Sequence, residues 1–263
     1  RQKKLGQFLK QSYHDFVETM IPWAEETNQP IFFPKGYFGQ IVVSLVTGIN
    51  GTASAARGDD LNDGSEVKTS ARLLQLNHCK ACMRRTKEKT SITCLATSCP
   101  KCNASGNDIE IMRDSHFIMN IDPVNLEDYL GKIPTIYVLL IDDYQLKSGK
   151  PVTEKSNNSE KYYITGKQMK GTLTIEELKR VATAARFTIW SIEPAKNKIW
   201  KDAIKTHFNV TWKKNPQGKW RKINKSGGIN VHPRSPKFFG QGWEKIFEGV
   251  LDEKGKLNIF QFP

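Results

Sequence analysis

The sequence predicts an α/β fold in which helices cover both faces of a mixed sheet. Its opening segment, residues 3–20, has apolar side chains at helical spacing, which predicts an amphipathic helix. Residues 136–141, Ile-Tyr-Val-Leu-Leu-Ile, are apolar almost throughout and predict a buried central strand. Thr174 and Glu177 form a capping box that predicts a helix running to about Trp190. Helical and strand signals therefore alternate along the chain.

Shorter elements complete this prediction. They are a helix at 39–46, a small-residue loop at 48–58, a strand at 65–69, a separate element at 70–76, a strand at 117–121 and a polar loop at 149–159. We expect the helix at 39–46 to pack beneath the acidic motif that follows it. The loop at 48–58 leads directly into that motif.

Length and composition limit the class of protein. The chain has 263 residues, of which 38% are hydrophobic, and this suits one large domain over 1–263 or a domain with a small insert. No apolar run approaches the roughly 18 residues of a membrane helix, so no membrane partner is expected. The opening residues lack the apolar region of a signal peptide. We therefore expect a cytoplasmic protein, bacterial or archaeal.

An acidic turn followed by a short strand is the most informative motif. Residues 58–69 read Gly-Asp-Asp-Leu-Asn-Asp-Gly-Ser-Glu-Val-Lys-Thr. Asp63-Gly64 is a strong turn signal, and strand side chains alternate, so Glu66 and Lys68 should share a face. Two acidic residues, Asp59 and Asp60, precede the turn. An aspartate, Glu66 and Lys68 are therefore expected to meet in one small volume.

The length of the turn decides which aspartate joins them. A two-residue loop at Asp63-Gly64, or a four-residue loop, places Asp59 on the face of Glu66. A three-residue loop at 62–64 places Asp60 opposite Glu66 instead. We favour Asp59 and keep Asp60 as the near alternative.

These residue types suit metal-dependent cleavage of a phosphodiester. The carboxylates of Asp59, Asp60 and Glu66 supply hard oxygen ligands for Mg²⁺. Such an ion neutralises charge on the scissile phosphate and lowers the pKa of a bound water. Lys68 stays charged between carboxylates, so it suits electrostatic stabilisation and orientation of the water. The predicted catalytic residues are Asp59, Asp60, Glu66 and Lys68.

The motif resembles the PD-(D/E)xK nuclease signature, with Glu66-Val67-Lys68 as its E-x-K half. Its spacing is similar to that of the strand-nicking endonuclease of bacterial mismatch repair, and the whole string 58–69 looks like those of several type II restriction endonucleases. It departs from the family pattern because Arg57-Gly58, and no proline, precede Asp59. The resemblance implies a restriction-endonuclease-like three-layer α/β/α core and site-specific cleavage of double-stranded DNA. It also implies a homodimer and a separate partner DNA methyltransferase.

A second motif predicts a structural zinc site. Cys79-x2-Cys82 and Cys99-x2-Cys102 form two knuckles separated by sixteen residues, a spacing typical of a closed Cys₄ zinc shell. Cys94 is left over as an alternative ligand for Cys99, and His78 also competes. We predict a zinc-ribbon insert at 77–104. The basic stretch 84–89 between the knuckles leaves two options open, a DNA backbone contact or a solvated loop or dimer contact.

The charge distribution predicts a polyanionic partner. The formal net charge is +13, with 40 Lys and Arg against 27 acidic residues, and this balance favours nucleic acid. The excess is concentrated in 196–240, where basic residues alternate with Trp200, Trp212 and Trp220. Residues 210–212 and 219–223 flank a turn at 215–218 and predict a basic hairpin. The predicted DNA-binding residues are Lys213, Lys214, Lys219, Arg221, Lys222, Lys225 and Arg234.

Three alternatives stay open at the level of sequence. The first is a mismatch-type or very-short-patch nicking endonuclease of the same fold. The second is a non-catalytic, zinc-dependent DNA-binding module, which would tolerate loss of Lys68. The third is an RNA-binding zinc-ribbon protein.

Overall fold

The structure is a computed structural model, and the part of the chain that it describes comprises several ranges. They are residues 1–27, 34–52, 60–79, 102–103, 109–114, 117–142, 162–164, 167–169, 183–224, 229–231 and 242–263. The helices are α1 (Gln2–Leu9), α2 (Asp15–Thr27), α3 (Lys35–Thr47) and α4 (Lys198–Thr211), with π-helical turns at Lys10–His14 and Asp128–Lys132. The strands are β1 (Glu66–Cys79), β2 (Ile109–Asp114), β3 (Phe117–Met119), β4 (Ile136–Asp142), β5 (Tyr162–Ile164), β6 (Lys167–Met169), β7 (Ala185–Ile192), β8 (Trp212–Lys214), β9 (Trp220–Lys222), β10 (Ile229–Val231), β11 (Glu244–Leu251) and β12 (Leu257–Gln261).

A six-stranded mixed sheet forms the centre of the fold. Its strand order is β12-β11-β7-β4-β1-β2. β1 and β4 are parallel, whereas β1 with β2, β4 with β7, and β11 with both of its neighbours are antiparallel. As predicted, β4 is central, and its residues 136–141 are all buried. A strand buried on both faces needs apolar side chains on both, which explains its unbroken apolar run.

Three N-terminal helices cover one face of the sheet. Leu5, Leu9, Tyr13, Val17 and Ile21 are all buried there. A repeat of exactly four residues would drift by about 40° per step around an ideal α-helix. The π-helical turn Lys10–His14 is wider than an α-helical turn and so counteracts this drift. The predicted amphipathic helix at 3–20 is therefore confirmed, with a π-helical turn inside it.

The opposite face carries α4 and the π-helical turn Asp128–Lys132. A second apolar cluster joins these elements to β4 and contains Tyr129, Val138, Trp200, Phe208 and Trp243, among others. Helices on both faces give the three-layer α/β/α arrangement that the sequence predicted. The predicted zinc ribbon falls largely on residues outside the described ranges.

Helix α3 approaches β1 more closely than a side chain would permit. It spans the predicted helix at 39–46 and ends at Gly48, whose positive φ of +83° gives a left-handed C-cap that glycine adopts readily. At Gly39, an added Cβ would lie only 1.8 Å from Thr69 Oγ1. Glycine therefore lets the backbone of α3 pack directly behind the start of β1.

Three sequence predictions are wrong in their element assignments. Residues 185–190 are not the end of a helix but part of β7, which pairs with both β4 and β11. Its alternating apolar and β-branched residues are suited to a central strand. The predicted element at 70–76 is not separate either, because β1 continues without a break to Cys79. Val210 and Thr211, expected in a strand, instead end helix α4. No sequence pattern predicted this helix.

The remaining strands form two-stranded ladders of three residue pairs each. β3 pairs with β10, β5 with β6, and β8 with β9, each antiparallel. β3 confirms the predicted strand at 117–121 over a shorter range, and β8 with β9 confirms the predicted hairpin. The expected loop at 149–159 and the capping box at Thr174 and Glu177 lie outside the described residues. Among those described, no helix is long and apolar enough to cross a membrane.

Candidate active site

A three-residue turn brings the acidic motif onto the start of β1. Leu61 N donates to Ser65 O at 3.1 Å and Gly64 N donates to Leu61 O at 2.9 Å, which closes a loop over residues 62–64. Gly64 has a φ of +84°, as the bulge position of this turn type requires. Asp63 Oδ1 and Oδ2 accept from the backbone N and the hydroxyl of Ser65. This is the loop length that places Asp60 opposite Glu66.

Asp60 is held from two directions. Its Oδ2 accepts a hydrogen bond from Val67 N at 2.7 Å, so the carboxylate lies against the backbone at the start of strand β1. Its Oδ1 accepts from the Gln40 amide Nε2 on α3. The close packing of α3 at Gly39 brings the neighbouring Gln40 within reach. A carboxylate oxygen has two lone pairs, so each oxygen of Asp60 can accept one more partner besides the one found among the described residues.

Glu66 and Lys68 form an ion pair on one face of β1. The Lys68 ammonium donates to Glu66 Oε1, and the side chains of Glu66 and Lys68 are 17% and 26% exposed. Val67, between them, points to the opposite face and is buried with the N-terminal helices. Strand alternation therefore separates two polar side chains from the core that supports them. Both remain accessible enough to meet a ligand.

The ion pair fixes the charge state of Lys68. Burial by itself would lower the pKa of the Lys68 ammonium, but the Glu66 carboxylate, through its charge and its hydrogen bond, outweighs burial and raises the pKa above its ordinary value. Tyr129 and Asp60 add to this rise. Lys68 is therefore a cation at neutral pH. Such a group stabilises negative charge and cannot act as a general base.

Tyr129 faces the same ion pair. The residue is 9% exposed, and burial is the main reason that its pKa is raised, with Lys68 opposing and Glu66 raising it further. Its backbone carbonyl accepts a hydrogen bond from Trp200 Nε1 at 2.8 Å, which fixes the π-helical turn against α4. The Tyr129 hydroxyl therefore stays protonated beside the Glu66–Lys68 pair.

Sequence reasoning missed Gln40 and Tyr129. Gln40 could have been predicted, because it is one of two polar residues in the apolar run 39–46 and a polar side chain in such a run needs a hydrogen-bond partner. Tyr129 carried none, since its position depends on the packing of a turn that begins sixty residues after Lys68.

Several predicted site residues lie outside the described part of the chain. These are Asp59, Cys82, Cys94, Cys99, Lys225 and Arg234. Of the other two predicted zinc ligands, Cys79 is the last residue of β1 and Cys102 is half-buried. The predicted residues that the structure brings together are Asp60, Glu66 and Lys68.

Another cluster of possible metal ligands occurs among the described residues. His14, Asp15 and Glu18 present ligand atoms within 4.8 Å of one another. The cluster already has internal partners, because His14 Nδ1 lies 2.9 Å from Asp15 Oδ1 and Lys10 Nζ lies 3.3 Å from the same oxygen. His14 Nε2 is 3.0 Å from Glu253 O. These contacts tie the first helices to the turn between β11 and β12.

The predicted basic hairpin projects from the face that carries Glu66 and Lys68. Its exposed cations are Lys213, Lys214, Lys219, Arg221 and Lys222. Trp212 Nε1 donates to Ile121 O at 3.0 Å, and Ile121 belongs to the same apolar cluster as Tyr129 and Val138. Val138 lies directly opposite Lys68 in the parallel strand pair. One apolar cluster thus connects the hairpin to the candidate site.

Comparison with known proteins points to a single family. The family model described as MamI restriction endonuclease matches residues 22–153, half of the chain. The chain is also similar to the Type II restriction enzyme MamI of Microbacterium ammoniaphilum, with 30% identity over 120 residues. That alignment covers 46% of this chain and 31% of the relative, so the chain matches about a third of that enzyme's length. No solved structure matches the chain.

Proposed function

The chain belongs to the MamI restriction endonuclease family, and we propose that it is a Mg²⁺-dependent endonuclease that cleaves double-stranded DNA at specific sites. The observation that carries the proposal is the meeting of Asp60, Glu66 and Lys68 at the start of β1. This constellation lies within the residues that match the family. Two carboxylates beside a charged lysine suit metal-assisted hydrolysis of a phosphodiester.

The donor set suits Mg²⁺. Asp60 and Glu66, with Asp59 as the alternative to Asp60, would supply carboxylate oxygens, the hard ligands that this ion takes one or two at a time. Each oxygen of Asp60 keeps a lone pair after its hydrogen bonds to Val67 and Gln40. When bound, the ion neutralises phosphate charge and lowers the pKa of a coordinated water.

Lys68 has the electrostatic role. Its ammonium is held by Glu66 and would stabilise the negative charge that develops on the phosphate oxygens as water attacks. It also donates to the attacking water and so orients it. Asp60 is kept in place by Gln40 and the backbone of Val67, which keeps a carboxylate correctly directed before substrate arrives.

DNA binding is assigned to the basic region 196–240. Lys213, Lys214, Lys219, Arg221 and Lys222 are exposed on the hairpin, and we extend the assignment to Lys225 and Arg234. The net charge of +13 favours a polyanion at long range. Connection of the hairpin to the candidate site through one apolar cluster would place bound DNA near Lys68.

The zinc site is a further part of the proposal. Cys79, Cys82, Cys99 and Cys102, with Cys94 as an alternative ligand, would hold Zn²⁺ in a closed shell whose role is structural. The spacing of the two knuckles supports it. Measurement of bound zinc in purified wild type and in the Cys82→Ser variant tests this: the wild type should hold about one equivalent per chain by the closed-shell pattern and the variant much less.

We also propose a homodimer and a partner methyltransferase. Cleavage of both strands at a two-fold symmetric site is simplest with two identical subunits. A restriction activity further requires that host DNA be protected by a separate modifying enzyme.

Cleavage of a supercoiled plasmid tests the proposal. Wild type should give discrete linear fragments with Mg²⁺ and none when Mg²⁺ is withheld. Lys68→Ala should lower the rate by about a hundredfold or more, as loss of one group stabilising the transition state does. Lys254→Ala, an exposed lysine of the turn between β11 and β12, is the matched control and should cleave normally.

Two results would contradict the proposal in different ways. Open circles without linear DNA would replace double-strand cleavage with nicking by the same site. Intact DNA that both proteins nevertheless bind would leave a non-catalytic DNA-binding module.

A further inference from the structure

The two sides of the β8–β9 hairpin have different surroundings. Residues directly opposite in an antiparallel ladder share a face, and the pairs are Trp212 with Lys222, Lys213 with Arg221, and Lys214 with Trp220. The face with both tryptophans is turned toward the body of the protein. Trp212 Nε1 donates to Ile121 O at 3.0 Å. The ring of Trp220 packs edge-on against Phe208, 5.0 Å between centroids and 77° between planes.

Lys213 and Arg221 occupy the other face. Both are exposed, and no described acidic side chain forms an ion pair with either. Like charges directly opposite on a ladder destabilise it, so this pair weakens the free hairpin. An anion between the two groups would attract both and so outweigh their mutual repulsion.

Lys214 differs from this pair although it is adjacent in sequence. Its ammonium lies over the ring of Trp220, 5.1 Å from the centroid, in the geometry of a cation–π contact. It therefore already has a partner that stabilises its charge. The five cations of the hairpin are thus not equivalent.

The hairpin is rigid enough to hold a fixed pair of cations. Asn215 Oδ1 accepts from Gln217 N at 3.1 Å and from Lys219 N at 2.8 Å. Gly218 N donates to Asn215 O at 2.9 Å, and Gly218 has a φ of +77°. The tip is therefore closed by its own hydrogen bonds, and the base is anchored by Trp212. A preformed site loses less entropy on binding.

We propose that Lys213 and Arg221 together form a site for one backbone phosphate of DNA, while Lys214 supports the hairpin through Trp220. Arginine can donate two parallel hydrogen bonds to a phosphate, and lysine adds a compact charge from the facing strand. The inference deepens the proposed function, because it selects two of the predicted cations as the phosphate contact. It makes no assignment of base recognition.

Binding to a non-specific duplex, without Mg²⁺ and over a range of NaCl concentrations, tests this assignment. Lys213→Ala/Arg221→Ala should bind about tenfold more weakly, since charged hydrogen bonds are lost. Its plot of log affinity against log salt should be shallower by about one unit, as for one phosphate contact. Lys254→Ala/Lys256→Ala removes the same charge from two exposed positions and should bind within about twofold of wild type, because the turn that carries them contacts His14 of the N-terminal helices on the opposite face of the sheet.

The comparison between the two double variants decides the result. Equal losses in both would overturn the inference and leave only a non-specific charge effect. Undiminished DNA binding by Lys213→Ala/Arg221→Ala would also overturn it and direct attention to an acidic protein partner. Lys213→Arg/Arg221→Lys, which keeps both charges, should restore the salt dependence, whereas a misfolding effect would not be rescued in this way.

These outcomes are separate from those of the proposed function. If wild type binds DNA with the expected salt dependence but never cleaves it, the endonuclease proposal fails and the phosphate site stands. If wild type cleaves DNA and the two double variants behave alike, the phosphate site fails and the endonuclease proposal stands.

Discussion

The two faces of the six-stranded sheet use the same strands for different purposes. On one face, Val67 and Ala71 of β1 are buried against the N-terminal helices. On the other, one residue away in each direction, Glu66 and Lys68 form a partly exposed ion pair. The alternation of a strand thus gives stability to one face and polar groups to the other, and a single substitution should affect one without the other.

One face of the sheet is covered by apolar helices and the other leaves charged side chains partly exposed, and this difference has a physical origin. The N-terminal helices present an almost wholly apolar stripe, and their core includes the fully buried Phe187, Leu139 and Phe247. The other face combines its apolar cluster with charged groups that lose solvation when buried. Charged side chains that are to meet a ligand are therefore better placed on the face where they keep part of their contact with solvent.

The largest expected effect is on the polar face. Glu66→Gln removes a proposed metal ligand without changing side-chain size, so cleavage should fall by about a thousandfold, equivalent to about 4 kcal/mol. Its melting temperature should stay close to that of wild type. Single-turnover cleavage and thermal denaturation measure the two quantities. Glu244→Gln, exposed on β11, is the control, and equal activity of the two variants would remove Glu66 from the site.

The next effect belongs to the helix-covered face. Phe187→Ala should lower the free energy of unfolding by about 3 kcal/mol, because it leaves a cavity beside Tyr13, whose ring packs edge-on at 5.4 Å. The rate of cleavage per folded molecule should be unchanged. Urea denaturation with a parallel activity assay checks both. Phe260→Ala, at a 63% exposed position, should cost far less, and a similar cost would mean that Phe187 is not part of a tight core.

A substitution in the helical layer should have a smaller effect on the candidate site. Gln40→Ala removes the α3 donor to Asp60, so cleavage should fall about tenfold, the scale of a hydrogen bond to a charged group. Ser44→Ala, one turn further along α3, provides the matched control. The dependence of rate on Mg²⁺ concentration should shift for Gln40→Ala alone. An unchanged rate would show that Asp60 does not need this support.

The smallest effect concerns the outer surface of the helical layer and depends on pH. The hydrogen bond from His14 is the main cause that lowers the pKa of Asp15 below its ordinary 3.8, with burial opposing it and Lys10 assisting. A lowered carboxyl pKa contributes stability that is present above the unfolded value and lost as pH falls through the folded value. Asp15→Asn should therefore lower the melting temperature at pH 6 by about 1–2 °C, since the carboxylate is well exposed and screened.

That difference should shrink below about pH 3.8, where the unfolded-state carboxyl becomes protonated. Melting curves of both proteins between pH 6 and pH 3 provide the measurement. A difference that stays constant across this interval would assign the effect to packing and not to charge.

Local sequence patterns predicted the elements whose burial pattern is simple. The apolar run of β4 and the turn residues Asn215 and Gly218 of the hairpin specify structure within a few residues. The shared face of Glu66 and Lys68 likewise follows from strand alternation, and their ion pair agrees with it. Their catalytic roles stay predictions.

Long-range packing explains the failures. The capping box at Thr174 and Glu177 predicts a helix that reaches 185–190, whereas the strand character of 185–192 depends on its place between β4 and β11. The contribution of Tyr129 to the site depends on the hydrogen bond from Trp200 to its carbonyl. Neither partner lies close in sequence, so no local pattern could have indicated these contacts.

Strand β1 also limits the distance between the candidate site at its start and Cys79 at its end. It runs from Glu66 to Cys79, and at about 3.3 Å per residue these two backbone positions lie at most on the order of 40 Å apart, because its ladder with β2 shifts register between Leu74 and His78. That distance equals about twelve base-pair steps of duplex DNA at 3.4 Å each, slightly more than one helical repeat. The proposed zinc-held element that begins at Cys79 would therefore lie within about one turn of the double helix of the candidate site.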